Sequence, residues 1–290
     1  MSTGKRVLPV VAVTGSSIIV GCGGNSGGSC GSYGSYGSYG SFGVADPGHA
    51  HRAAPAGSVH AAPTKQQYYP GCSAPPSLGA DGIYEGTLTD QATHRVTPIV
   101  AIIADNGDGR MSGQDGTYYR LTVATSGSNV SGDFSGYSHG ASFPNGNETS
   151  AGTLSAQITS AGLTGTLTDQ TGNVEALALT FDNTYTLGSA LPTLTGTWNY
   201  SVSGFSLNVM VNPDGTFSAL DSDGCSYSGS FTLIDPSFNA YSENYTRACN
   251  GDRLVFNGLA SYFPPAGNSG AEIKILADDA AGDYLAADLK

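Results

Sequence analysis

Charge is scarce in this chain, and positive charge scarcer still. Asp, Glu, Lys and Arg make up only 12% of its 290 residues, too few to lace exposed helices with ion pairs. Beyond Leu78 no apolar pattern of helical period persists for a helix length, which argues against a helical protein. The 11 Lys and Arg face 23 Asp and Glu, a formal net charge of -12, and no basic stripe runs through the sequence. Such a surface repels phosphate backbones and anionic headgroups, which argues against nucleic acid as a partner and against electrostatic attachment to a membrane. Long apolar runs are missing too, since a membrane-spanning helix needs roughly 20 such residues. No glycine-rich stretch leads into Lys-Ser or Lys-Thr, which removes a phosphate-cradling loop.

What abounds is glycine, 42 residues of it, and short alternating stretches between turn dipeptides. Phe205, Leu207, Val209 and Val211 share one strand face, and Leu194, Gly196, Trp198, Tyr200 and Val202 another. Leu254, Phe256, Gly258, Ala260 and Tyr262 make a third, and Leu177, Leu179 and Phe181, then Ile273, Ile275 and Ala277, repeat the pattern. Asn106-Gly107, Asp108-Gly109, Asp115-Gly116, Asn145-Gly146, Asp214-Gly215, Asp223-Gly224 and Asn250-Gly251 accept the positive φ of hairpin turns. This spacing leaves no room for the crossovers of a parallel sheet. The expected fold class is therefore all-β and antiparallel, as two tandem small β-barrel or sandwich units over residues 78–192 and 193–290, with one large sandwich as the rival. Serine, threonine and asparagine stand opposite the apolar rows, which argues against a transmembrane barrel. Gly86-Thr87-Leu88-Thr89-Asp90-Gln91 returns as Gly165-Thr166-Leu167-Thr168-Asp169-Gln170 and reads as two similar strands within one unit.

The N-terminal residues carry a different message. Lys5 and Arg6 precede an uncharged, mostly apolar run from Val7 to Val20, the order of a secretory signal. Ile19-Val20-Gly21-Cys22 resembles the cleavage box of bacterial lipoprotein signals, with Ile19 where that family usually has leucine. The resemblance implies that residues 1–21 form a signal peptide that is removed and that Cys22 becomes an acylated, palmitate-bearing N-terminus. At about 0.8 kcal/mol per buried CH₂, more than one acyl chain makes such attachment stable. Losing Lys5 and Arg6, two positive charges, takes the formal charge from -12 to -14. In lipoproteins of the enteric type an aspartate after the cysteine favours the inner membrane, so Gly23 implies the outer membrane, on either its periplasmic or its exposed face.

Residues 22–77 lack the means to build a core. Gly31-Ser32-Tyr33 recurs as Gly34-Ser35-Tyr36, Gly37-Ser38-Tyr39 and Gly40-Ser41-Phe42, and an Ala/Pro/His tract follows. Glycine maximises chain entropy and proline blocks ladders, so the segment reads as a disordered linker whose random-coil span is roughly 40 Å.

With Cys22 acylated, Cys30, Cys72, Cys225 and Cys249 remain, an even number suited to an oxidising compartment. Proximity favours Cys225 with Cys249, a loop whose closure contributes about 3 to 4 kcal/mol by chain entropy. Cys225 shares strand parity with Tyr227, Phe231 and Leu233, so all four are expected to face the core. Cys30 pairs with Cys72 by elimination, or else between molecules. The run Asp221-Ser222-Asp223-Gly224-Cys225-Ser226-Tyr227-Ser228-Gly229, followed by Cys249, resembles a group of largely uncharacterised β-rich lipoproteins of proteobacteria, which brings no activity across. The order of parts is also similar to surface lipoproteins that bind host factors, such as factor H-binding and transferrin-binding proteins, without a shared motif.

Patterns that could carry chemistry are weak. Gly136-Tyr137-Ser138-His139-Gly140 fits the G-x-S-x-G nucleophile elbow, but so do Gly24-Asn25-Ser26-Gly27-Gly28 and Gly27-Gly28-Ser29-Cys30-Gly31, and no helical pattern follows Gly140. Asp105-Asn106-Gly107-Asp108-Gly109 and Asp221-Ser222-Asp223-Gly224 evoke calcium loops without the ligand spacing. His49, His51 and His60 cluster in the linker, where fixed metal geometry is not expected, and His94 and His139 are isolated. Glu85, Glu175, Glu243 and Glu272 lie in expected strands with nothing to pair them as glycosidase carboxylates. No catalytic, cofactor-binding or metal-binding residue is nominated. The expectation is a non-enzymatic lipoprotein anchored in the cell outer membrane, displaying a β-rich module for binding, adhesion or envelope structure. Its partners would be the membrane, through the lipid, and a protein or glycan at the cell surface. A lipocalin-like carrier of a small apolar ligand is the alternative, and an envelope hydrolase ranks below both.

Overall fold

A computed structural model describes residues 79–138, 143–202 and 204–290. Those residues fold as two antiparallel sheets of eight strands each, so the all-β expectation holds. Cys22, Cys30, Cys72, the linker histidines and His139 lie outside the described residues.

The first sheet runs through β1 (Gly82–Asp90), β2 (Val96–Ile103), β3 (Asp108–Gly113), β4 (Thr117–Ser126), β5 (Asn129–Ser138), β6 (Thr149–Ile158), β7 (Gly162–Asp169) and β8 (Val174–Asp182). Neighbours in sequence are neighbours in the sheet, and β1 closes the barrel: Leu88 stands opposite Thr97 of β2 and opposite Leu177 of β8. Alternation puts Tyr84, Leu88, Leu154, Leu167, Leu177 and Leu179 inside, where they share one core with Met111, Tyr119 and Phe134. The repeated Gly-Thr-Leu-Thr-Asp-Gln segments occupy β1 and β7, the two strands that flank β8. Each ends in the same device, a carboxylate that accepts backbone N–H groups of the following turn: Asp90 from Ala92 at 2.8 Å and Asp169 from Thr171 at 2.8 Å.

Two 3₁₀ segments, Asn183–Leu187 and Leu191–Leu194, lead into the second sheet. It comprises β9 (Gly196–Val202), β10 (Phe205–Val211), β11 (Thr216–Asp221), β12 (Ser226–Leu233), β13 (Tyr241–Cys249), β14 (Asp252–Phe263), β15 (Glu272–Asp279) and β16 (Tyr284–Leu289), again in sequence order. Closure here is incomplete. β9 and β16 are joined by one backbone pair, Asn199 N–H to Lys290 O at 2.7 Å and Lys290 N–H to Asn199 O at 2.8 Å. Trp198, Leu207, Val209, Phe217, Phe231 and Tyr245 fill much of the interior. Three details depart from the expectation. Leu194 does not share a strand face with Trp198 and Tyr200 but ends the second 3₁₀ segment, though it is buried in the same core. Asp108-Gly109 is not a turn but opens β3, because Asn106-Gly107, with Gly107 at φ 82°, has already reversed the chain. Leu233 shares parity with Cys225 but is 39% exposed, since it lies at the very end of β12.

The two barrels meet along a buried seam. Ile273, Ile275 and Ala277 of β15 face their own barrel, while Leu276 packs with Ile102, Tyr118 and Tyr284 in a separate apolar cluster between the sheets. Tyr118 stacks on Tyr284 with centroids 4.9 Å apart and planes 14° from parallel, and the Tyr284 hydroxyl donates to the Gly116 carbonyl. A second contact lies beside the first 3₁₀ segment, where Tyr185 stacks on Phe238 at 4.9 Å. Asn239 holds that segment by donating to Thr184 O at 3.1 Å and to Tyr262 O, while its own side-chain oxygen accepts the Tyr262 N–H at 3.1 Å.

Candidate functional site

Most patterns singled out in the sequence are absorbed by local structure. Asp221 Oδ1 accepts the N–H groups of Asp223 at 2.9 Å and Cys225 at 2.8 Å, and its Oδ2 accepts the Tyr227 hydroxyl at 2.8 Å. A carboxylate so engaged is a turn anchor rather than a free cation ligand. Asn106 Oδ1 likewise accepts the Asp108 N–H at 2.9 Å, and the Asp108 carboxylate is held by Arg110. Among the described residues no three His, Cys, Asp or Glu side chains stand close enough to share a metal ion. His94, with φ 59°, caps the turn between β1 and β2, its N–H donating to Asp90 O at 2.8 Å. Ser138 ends β5 and is buried, and the next described element is strand β6, so the strand-to-helix turn of a nucleophile elbow is absent among the described residues.

Cys225 is bonded to Cys249, with Cα atoms 4.5 Å apart. Cys225 is fully buried, and the Arg247 guanidinium points its Nη2 at both sulfurs, 3.5 Å from Cys225 and 3.8 Å from Cys249. The bond ties the start of β12 to the end of β13, across the pair Ser226 and Ala248.

The four glutamates separate into four environments. Glu85 is exposed on β1, and Glu272 lies 3.5 Å from Lys274 and 3.4 Å from Lys290. Glu175 faces the first barrel's core, where its Oε2 accepts the Tyr119 hydroxyl at 3.2 Å; burial raises its pKa against the pull of that bond. Glu243 lies in the second barrel. Two carboxylates facing across one cleft do not occur among these four.

Glu243 is the least expected of them. It sits mid-strand in β13 between Tyr241 and Tyr245, opposite Phe231 of β12 and Gly258 of β14, and is 2% exposed. Its Oε2 has no hydrogen-bond partner. Burial alone lifts its pKa from 4.5 to about 8, and burial followed by the Glu243 charge pushes the Tyr245 hydroxyl well up.

A second polar group closes the seam. The Arg110 guanidinium places Nε 2.8 Å from Asp278 Oδ1, the Tyr118 hydroxyl donates to that same oxygen at 3.2 Å, and Arg120 stands 3.6 Å from Oδ2. Burial nevertheless raises the Asp278 pKa, with Arg110 and Arg120 pulling the other way. Sequence reading passed over Arg110, Tyr118, Asp278 and Tyr284. The available signal was the run Ile273-Lys274-Ile275-Leu276-Ala277-Asp278, whose Leu276 breaks alternation and marks a strand buried on both faces.

Set against protein families, characterised proteins and solved structures, the chain matches none.

Proposed function

We propose that this chain is a non-enzymatic lipoprotein, acylated at Cys22 and tethered through residues 22–77 to the outer membrane, that displays its paired β-barrels as a binding, adhesion or envelope-structure module. The observation that carries the reading is the joint: Tyr118 on Tyr284 and Arg110 on Asp278 lock two small barrels into one stiff body, which suits display at the end of a tether. The exposed sides of the strands favour a water-facing module over a membrane-inserted one, as in β10, where Ser206, Asn208 and Met210 alternate with buried Leu207 and Val209. Its partners would be the membrane, through the lipid, and a protein or glycan at the cell surface. Replacing Cys22 with alanine tests the anchor. Incorporation of labelled palmitate should stop and the protein should leave the membrane fraction; undiminished attachment would sink this reading.

The carrier alternative has one observation in its favour. The buried acid of the first barrel, Glu175, accepts the Tyr119 hydroxyl, but the second barrel is incompletely closed and holds Glu243 without a partner at Oε2. A ligand, if carried, belongs in the second barrel.

A further inference from the structure

An acid in a barrel core has two ordinary fates: it finds hydrogen-bond donors, or it is replaced by an apolar residue of similar size. Glu243 has met neither. Its Oε2 is unpartnered, and the side chain is almost completely removed from solvent.

The positions around it are unequal in size. On one side stands the Phe231 ring, packed against Phe217 at 5.0 Å; along its own strand stands Tyr245, itself stacked on Phe256 at 4.9 Å. On the other side its neighbour is Gly258, and the next residue in that row is Ala277 of β15. The row then reaches Leu285 on β16, a half-buried residue of the edge strand that only the Asn199–Lys290 pair joins to β9. Glu243 is thus flanked by the aromatic residues Phe231 and Tyr245 and, across the other strand pair, by the smallest side chains of the row, which run toward the incomplete edge of the barrel.

We propose that the interior of the second barrel binds a small organic ammonium ion, with the Glu243 carboxylate as counter-ion and the rings of Phe231 and Tyr245 as its walls. A buried carboxylate beside aromatic faces complements an alkylammonium head twice over, through charge and through the ring quadrupoles. The cross-strand neighbours Phe231 and Gly258 carry no charge; along β13 the titratable neighbours are Tyr241 and Tyr245, and the cation on the same face is Arg247, two residues beyond Tyr245, whose Nη2 is turned to the Cys225 and Cys249 sulfurs. The chain's formal charge of -12 draws cations toward the molecule. With its pKa at about 8, the Glu243 carboxyl holds its proton at neutral pH. Seating the ammonium ion therefore expels that proton to solvent: the acid O–H bond breaks, the carboxylate pairs with the cation, and charge is conserved.

This inference rests on the carrier reading and is independent of the anchor. Full-length protein is titrated with phenethylamine, and separately with 2-phenylethanol, by calorimetry at about pH 7 in two buffers of different ionisation enthalpy. The expected result is saturable binding of the amine with release of about one proton, and binding of the neutral alcohol weaker by at least about tenfold. Glu243→Gln should weaken the amine by at least about tenfold, while Glu85→Gln on the first barrel's surface should leave it unchanged. Absence of saturable amine binding, binding without proton release, or equal affinity for the alcohol would each overturn the proposal. The proton count needs no variant, so it decides the matter even should Glu243→Gln fold poorly. None of these results bears on membrane attachment, which the Cys22 variant reads separately.

Discussion

Arg110 of the first barrel and Asp278 of the second approach to 2.8 Å between Nε and Oδ1, and both side chains are sealed from water, each residue being 1% exposed. The pair joins strands β3 and β15, so the two sheets share a charged contact inside an apolar seam. Breaking one member strands the other in low dielectric.

Asp278→Ala should therefore destabilise the protein by about 3 kcal/mol, even though Asp108 still pairs with Arg110. Urea unfolding of the full chain measures this. A loss below about 1 kcal/mol would show that the pair is no more than a surface ion pair in its energetics.

Tyr284 separates ring from hydroxyl. Tyr284→Phe keeps the stack on Tyr118 but removes the donor to Gly116 O, a cost of about 1 kcal/mol. Tyr284→Ala removes both and leaves a cavity in the seam, a cost of about 3 to 5 kcal/mol. Thermal melts of the two variants side by side should show that ordering; equal losses would mean that the hydroxyl, not the ring, holds the seam.

Stability should fall as pH rises between about 4.5 and 8. The folded protein holds the Glu243 proton up to about 8, whereas the unfolded chain releases it near 4.5, so within that window the native state binds the extra proton. Glu243's contribution is fully present below the lower value, lost through the window and flat beyond it, in all on the order of 5 kcal/mol. Glu243→Gln, which cannot ionise, should flatten that slope and melt higher than the wild type at about pH 8. An unchanged slope would assign the pH dependence to other groups.

Replacing Cys225 and Cys249 together with serine should cost about 3 to 4 kcal/mol and lower the melting temperature of the full chain. Peptide mapping without reduction should recover the two cysteines as one linked pair. Recovery of either as a free thiol would contradict the bond.

Much of the architecture is legible in the sequence. Phe205, Leu207, Val209 and Val211 alternate with polar residues in sequence and all four are buried in β10, because a pleated strand with one solvated face forces that alternation. The bond between Cys225 and Cys249 followed from proximity in the chain, since a hairpin brings the flanks of its two strands together. The candidate site was less legible. Glu243 looked like any strand glutamate, and its isolation depends on Phe231 and Gly258, contributed by strands to either side.

By itself, then, the sequence determined what is local: strand faces, hairpin turns, the antiparallel order and the disulfide of the second sheet. Tertiary structure alone decided that the first sheet closes, that the second stops at the Asn199–Lys290 pair, and that Lys274, Leu276 and Asp278 on the outer side of β15 are covered. The reason is physical. Period-two patterning reports which face of a strand is apolar, but what covers its other face is set by partners such as Tyr118 and Asp278, which lie 160 residues apart in the chain and meet only once both barrels have formed.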